Sequence, residues 1–457
     1  MTQVQNSVSL DLKGLIGSEV ISTQETLKEF SQDFGRIITK QPQVIVRPYS
    51  AKDVSKVITY ARTNGLTVTP RATGNSLGGQ CLNQDGIILD MRGLNTVHEI
   101  NQDELYFQAD AGTSWRQVVE LSLPQNLIPP VLTNYIDVSV GGTHAVGGIG
   151  ASSFRYGTQA DNCLALEVVT SNGEILWCSS EENSELFNHV LCGYSQFGII
   201  TQVRHRLKTS HNYTRTYYFV YDNLDALLQD KHTLTSQNKI DYLLSVPSPS
   251  LELLSKAKGV QLTQWFYLLE VTVEINDTNS TDDILSNLNF YRHVRTETKS
   301  FKEFIIPSLV LNPPVNTVHP WIDLILPASQ AKAYIETTLE RLPSVLDCSH
   351  TLMGSFCLYN KSTKLPMFAT PDEEFMIGFG IYPIIPEFQL QPVLTELKSL
   401  TDLAFKHGGK RYLSGWIDFN EQQWQTQFGD YWPKLNELKN KYDPYKLIPF
   451  LSIANNT

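Results

Sequence analysis

Three glycine-rich stretches between residues 71 and 198 set what this chain can fold into, because each stands beside a β-branched run and must bend the backbone there. The densest, Val140 to Gly150, has five glycines in eleven positions, which argues against a helix or a central strand. The third is Gly193 to Gly198, and the first, "PRATGNSLGGQ", spells G-x-S-x-G through Gly74, Ser76 and Gly78. That pattern marks a serine nucleophile only when a strand precedes the serine and a helix follows at once. Leu66 to Thr69 supplies the strand, but Leu77-Gly78-Gly79-Gln80 cannot nucleate a first turn and leads to another strand at Gly86 to Asp90. A serine hydrolase is therefore the rival reading. The favoured one is a loop whose bare backbone wraps a phosphate.

The surrounding pattern is α+β. Gln43 to Arg47 reads as a strand, and Ser50 with Asp53 as the start of a helix whose apolar face is Val54, Val57, Ile58 and Ala61 and which Gly65 closes. The first residues read as helical up to about Phe34. Leu164 to Thr170 and Ile175 to Cys178 form a hairpin around Asn172-Gly173. From about His205 to Asn420 the texture changes to longer strands, such as Trp265 to Val273, Trp321 to Leu326 and Phe375 to Tyr382, covered by helices such as Ser329 to Leu342 and Gln391 to His407. At 457 residues the chain exceeds what one core usually serves, so two domains are expected.

Charge narrows the partners. A formal net charge of −11 without a basic run speaks against nucleic acid. No apolar run is long enough for a membrane span and no secretory signal opens the chain, so the expected location is cytoplasmic. The six cysteines are scattered without metal or disulfide spacing and read as free thiols, with no metal expected.

Three glycine loops beside strands suit a ligand with two phosphates and a long aromatic system. The blocks "PRATGNSLGGQ", "VGGTHAVGGIGASSFRYGTQADN", "LEVVTSNGE", "LFNHVLCGYSQFGIITQVR", "YLLEV", "VHPWIDLILP" and "NKYDPYKLI" follow in an order that resembles the cytokinin dehydrogenases, a branch of the vanillyl-alcohol-oxidase-like flavoproteins. The resemblance runs from about residue 40 to the C-terminus. It implies a bipartite FAD-binding domain, residues 1–204 and 421–457, around a substrate-binding cap domain, 205–420, with an antiparallel sheet and helices. Arg71, Ala72, Thr73, Gly74, Asn75, Ser76 and Gln80 would form one cofactor-binding loop. Gly141, Gly142 and Thr143 would bring backbone to the pyrophosphate, Gly148 would follow them, Gly198 and Ile200 would line the adenine end, and Tyr412 would lie near the flavin ring.

Two departures from that pattern carry consequences. Asn75 stands where these flavoproteins usually carry a histidine joined to the flavin, and an amide nitrogen is too weak a nucleophile for that bond, so FAD should be held non-covalently. Asn134 stands where the family's catalytic aspartate aligns; it can accept a hydrogen bond but cannot take a proton. Asp137 is a possible substitute, Glu270 matches a second acid of the substrate pocket, and Trp321 matches a pocket wall. Where the family usually closes with Ser-Pro-Gly-Gln near the flavin ring, the segment here reads Ile448-Pro449-Phe450-Leu451-Ser452. The implied activity is oxidation of an N6-isoprenoid adenine at the carbon next to the amine, giving adenine and an aldehyde, with a quinone-like acceptor or oxygen reoxidising the flavin. An alcohol or amine oxidoreductase of specialised metabolism, or a non-catalytic flavin-binding protein, are the alternatives.

Overall fold

The computed structural model describes residues 2–249, 265–279, 284, 286–306, 314, 316–344, 354–359 and 365–449. Cys348 and the segment from Phe450 onward lie outside the described residues.

Three sheets carry the architecture. In the first, the strands run Glu19–Ile21, Val44–Arg47, Ile87–Asp90, Val68–Arg71, the last three parallel. Its faces are both covered, as parallel sheets require. Val44, Val46, Ile87 and Leu89 pack on the helix Ala51–Asn64, while Ile45 and Ile88 pack on Leu27 and Phe30. That helix forms as its sequence dictates. Ser50 Oγ accepts the Asp53 N–H at 3.2 Å, Gly65 closes the last turn at φ +64°, and Val54, Val57, Ile58 and Ala61 form the buried face.

The second sheet is antiparallel, in the order Val97–Asn101, Tyr106–Asp110, Ile199–Arg206, Cys163–Val169, Ile175–Ser179. The third has eight antiparallel strands: Arg292–Ser300, Tyr213–Tyr221, Trp265–Ile275, Tyr242–Pro249, Ser355–Tyr359, Phe375–Ile381, Ile322–Pro327 and Lys410–Tyr412. Side chains alternate across a strand, so each strand feeds two cores. Ile322, Leu324 and Leu326 join the core built with the helices Leu224–Ser236, Ala328–Arg341 and Leu390–Lys406. Ile325, Phe356, Leu358 and Met376 point the other way, into the core of the second sheet. The helices Glu421–Phe428 and Trp432–Tyr442 close that second core, with Trp424 and Trp432 stacked at 5.6 Å.

Two expectations need correction. The first residues are not helical throughout, because Val20 and Ile21 pair with Val46 and Ile45 as a short edge strand between the helices Thr2–Leu15 and Gln24–Glu29. Val140–His144, read as non-helical, is a single helical turn. Its glycine answers a close approach: a Cβ on Gly141 would lie 2.5 Å from the Ala111 Cβ.

That turn is pinned by two fully buried histidines. His144 Nδ1 lies 2.8 Å from the Val140 carbonyl and must donate to it, so His144 Nε2 is the acceptor and His205 Nδ1, 3.0 Å away, the donor. Burial, which disfavours the charged form, keeps both rings neutral. Burial pushes His144 down to about 4 and His205 well below its ordinary value. With both folded values depressed, the unfolded chain takes up protons first as pH falls, and stability is lost from about pH 6.5 downward. We expect the urea midpoint to drop between pH 6.5 and about 4, and His205→Leu to flatten that drop. An acid slope unchanged in His205→Leu would assign it to carboxylates instead.

Candidate functional site

The loop after the strand Val68–Arg71 is held from behind by a buried carboxylate. Asp33 Oδ2 accepts the Gly79 N–H at 2.7 Å and the Ser76 hydroxyl at 2.9 Å, and Oδ1 accepts the Arg36 N–H at 3.3 Å. Burial pushes the Asp33 carboxyl up, opposed by these donors and by the Arg71 charge. The Phe34 and Gly35 N–H groups take the Gly74 and Ser76 carbonyls at 2.9 and 3.2 Å. The loop's carbonyls are thereby tied to residues 33–36, while the backbone N–H groups of Thr73 to Leu77 make no hydrogen bond among the described residues. Successive free N–H groups of this kind form an anion cradle.

Each loop residue has a place in that arrangement. Arg71 folds back over the Phe30 ring at 4.9 Å and donates to the Gln32 carbonyl at 2.9 Å, so its charge buttresses the loop. Gly74, at φ +73°, leaves room for it: a Cβ would sit 2.6 Å from Arg71 Nη2. Ala72 packs against the core under the first sheet. Asn75 Nδ2 donates to Thr73 Oγ1 at 2.7 Å. Gln80 accepts from the Gly78 N–H at 2.8 Å and donates to the Gly415 carbonyl at 2.9 Å, clipping the loop to the segment that follows the strand Lys410–Tyr412. The Ser76 hydroxyl donates to Asp33 and lies 3.1 Å from the Cys81 thiol. No imidazole is among its partners and no helix follows it, which removes the elbow reading.

The second stretch differs from expectation. The Gly141 N–H goes to the Ala111 carbonyl, the Gly142 N–H to Ser139 Oγ and the Thr143 N–H to the Ser139 carbonyl, at 2.8, 3.2 and 3.1 Å. The Thr143 hydroxyl takes the Trp115 indole N–H at 2.8 Å. A capped helical turn has thus used the donors assigned to a pyrophosphate. Gly148 does meet Tyr412, donating to its hydroxyl at 3.0 Å, and a Cβ there would strike Gln159 Oε1, itself buried without a donor among the described residues. Gly198 lies against Val168, where a Cβ would be 2.4 Å from Cγ1, and the Ile200 side chain is buried in the second sheet's core.

Between the first and third stretches lies a cavity lined by Thr69, Gly79, Gln80, Tyr194, Gln196 and Ile417 among others. Tyr194 and Ser195 hold φ of +54° and +60°, unusual for residues with side chains. Gln196 Oε1 is buried with no donor among the described residues, while its amide donates to the Pro449 carbonyl at 3.0 Å. An unmet acceptor on the third stretch and a run of unmet N–H donors on the first are what a dinucleotide, with phosphates, hydroxyls and an amine, would satisfy. These residues fit FAD.

The reacting side is more dispersed. Asn134 is exposed in the bend before Ile136. Asp137 is engaged by Arg116 through two bonds of 2.5 and 2.9 Å, which hold its carboxyl below the usual range; its role is to fasten that bend to the helix Trp115–Ser122. This removes it as a replacement base. Glu270 is half-buried on Trp265–Ile275, its carboxyl pushed up by burial despite Arg295 and Lys299. Trp321 donates to the Pro383 carbonyl at 3.0 Å and meets Phe34 and Tyr382 at 5.2 Å between ring centres. Three strands stand between Glu270 and Trp321, on the order of 19 Å at the usual spacing, so the two do not share one contact. What does gather beside Trp321 is Tyr382, Tyr412 and Asp323, the last unforeseen although it is the lone acid in Ile-Asp-Leu-Ile-Leu. Asp33 was also missed, and carries no sequence signal beyond standing before Phe34-Gly35.

Comparison with known proteins agrees with this layout. Residues 42–179 match the model of an FAD binding domain, and residues 212–450 match one described as cytokinin dehydrogenase 1, FAD and cytokinin binding. An uncharacterized oxidoreductase, ORF5 in the fasciation locus of Rhodococcoides fascians, is 30% identical over 91% of this chain and 94% of its own. Cytokinin dehydrogenase 7 of Oryza sativa subsp. japonica is 25% identical over 95% of this chain and 90% of its own, and cytokinin dehydrogenase 2 of Arabidopsis thaliana 26% over 98% and 96%. With one match on the nucleotide side and the other running through the large sheet, this chain belongs to the cytokinin dehydrogenase family of FAD-dependent oxidoreductases.

Proposed function

We propose that the protein oxidatively cleaves N6-isoprenoid adenines to adenine and an aldehyde. The observation that carries this is the match of residues 212–450 to an FAD- and cytokinin-binding region, which spans the large sheet and its helices. Residues 1–204 and 421–457 serve as a vanillyl-alcohol-oxidase-type FAD unit and 205–420 as the substrate unit. The Thr73–Leu77 cradle and Gln196 hold FAD, with Gly148, Gly198 and Tyr412 shaping its surroundings. When bound, FAD supplies the two-electron acceptor; a quinone-like compound or, slowly, oxygen takes the electrons on, in the cytoplasm. Trp321 offers the purine a flat wall, Asn134 a polar contact without basicity, and Glu270 a polar contact farther along the sheet. The amide at Asn134 also favours a second reading, an alcohol or amine oxidoreductase of specialised metabolism.

Asn75 makes the attachment testable. Acid or heat precipitation should leave all the FAD in the supernatant, and flavin retained in the washed pellet would reveal a covalent link through another residue. Added FAD should then raise thermal stability by mass action, by about 2.7 kcal/mol at a hundredfold excess over Kd.

The buttress of the cradle is tested by titrating FAD into the apoprotein. Ser76→Ala, losing one hydrogen bond to Asp33, should weaken binding by about 1 kcal/mol. Asp33→Asn, losing the charged acceptor of several donors, should cost more, roughly 1.5–3 kcal/mol. Equal Kd values for both variants and wild type would show that this anchor does not shape the cradle.

A further inference from the structure

Asp323 is a carboxylate set apart from the other acids of the site. It lies on Ile322–Pro327, on the face opposite Leu324 and the helix-covered core, two residues after Trp321 and in register with Tyr412. Tyr412 in turn receives the Gly148 N–H, so Asp323 stands where the large sheet meets the glycine-rich side of the molecule. Its side chain is only 7% exposed. Oδ1 accepts the Tyr382 hydroxyl at 2.5 Å and Oδ2 the Ser414 hydroxyl at 2.7 Å. A carboxylate has about four acceptor positions, so two such donors leave room for a third.

The charges around it are distinctive. Arg411 is the nearby cation, but its guanidinium donates to the Asp323 backbone carbonyl, Thr401 Oγ1 and the Trp416 carbonyl, not to the carboxylate. The remaining titratable neighbours are Tyr382 and Tyr412, both pushed up by burial. Asp323 thus has no ion-pair partner among the described residues, in contrast to Asp137. Burial raises its carboxyl, with Tyr382, Ser414 and Arg411 opposing. Gly380 makes the Tyr382 contact possible: a Cβ there would lie 1.9 Å from the Tyr382 hydroxyl and 2.7 Å from Asp323 Oδ1.

We infer that Asp323 is the base of the reaction, taking the proton of the substrate's amine. The inference rests on the amine-oxidation reading above. The carbon next to nitrogen gives up a hydrogen with both electrons to the bound FAD, the nitrogen gives its proton to a free Asp323 lone pair, and the C=N bond forms between them. The substrate loses two electrons and two hydrogens. Asn134 cannot take that proton, Asp137 is committed to Arg116, and Glu270 is separated from Trp321 by three strands. The ionised form acts, so the rate is present above the Asp323 pKa and lost as pH falls through it.

The test is anaerobic flavin bleaching across pH, with isopentenyladenine and a panel of secondary amines, on FAD-loaded wild type, Asp323→Asn and Tyr382→Phe. Asp323→Asn should bleach at least about 100-fold more slowly and lose the acid limb. Tyr382→Phe removes a donor to the charged form and should shift that limb to higher pH. A readout independent of turnover is the infrared carboxyl band of the resting protein. It should titrate at the same pH as the limb and be missing in Asp323→Asn. Bleaching of Asp323→Asn within threefold of wild type, or a limb unmoved in Tyr382→Phe, overturns the role of Asp323 alone. Wild type bleached by other amines but not isopentenyladenine overturns the adenine substrate and leaves Asp323 to be judged on those amines. Wild type bleached by no amine overturns both.

Discussion

The strands Ile322–Pro327, Ser355–Tyr359 and Phe375–Ile381 are buried on both faces, and the rest of the molecule is arranged around that fact. A strand covered on both sides must alternate between two apolar environments and cannot slip by one residue without exchanging them. Here Leu324 and Ile377 go to the helix side, and Ile325 and Met376 to the core of the second sheet. The large sheet therefore acts as a shared wall, and anything polar on these strands stands out. Asp323 is such a group, with both oxygens hydrogen-bonded and its neighbouring strand position given to Gly380.

A second constraint works at the other end of the site. An unpaired backbone amide costs free energy wherever water cannot reach it, so a run of free N–H groups must be held open by something else. Asp33 and the Phe34–Gly35 amides do this by claiming the loop's carbonyls, the Ser76 hydroxyl and the Gly79 N–H. Phe34 also meets Trp321 edge-on, so the same short segment touches both the glycine-rich loop and the proposed substrate wall. Alignment of the two is thereby built from one stretch of chain.

Local signals were legible in the sequence and tertiary ones were not. The Ser50 cap, the Gly65 stop and the Asn172-Gly173 hairpin follow from chemistry within a few residues, and they appear where expected. The strands and helices after His205 likewise fall within a residue or two of their periodic patterns. The helical turn at Val140–His144 was hidden because glycine composition reports backbone freedom, whereas Gly141 answers a contact with Ala111 thirty positions earlier. Asp33 was hidden for a similar reason, since its partners Ser76 and Gly79 lie more than forty residues on. Asp137 was visible as an acid near Asn134, but its pairing with Arg116 depends on how a helix docks.

The acids of the site sort by their partners more than by their position in the sequence. Asp137 faces a guanidinium in two-point contact and is fixed as an anion, a good fastening and a poor base. Asp33 is buried but spends its lone pairs on loop donors, so its charge is structural. Asp323 is equally buried, yet receives hydroxyl donors only, from side chains that can follow a change in its charge. Burial without an ion pair is the condition under which a carboxyl group's proton affinity rises toward neutral pH. Of these three, Asp323 alone combines that condition with acceptor capacity left over, and it does so on a strand that forms a wall between two cores.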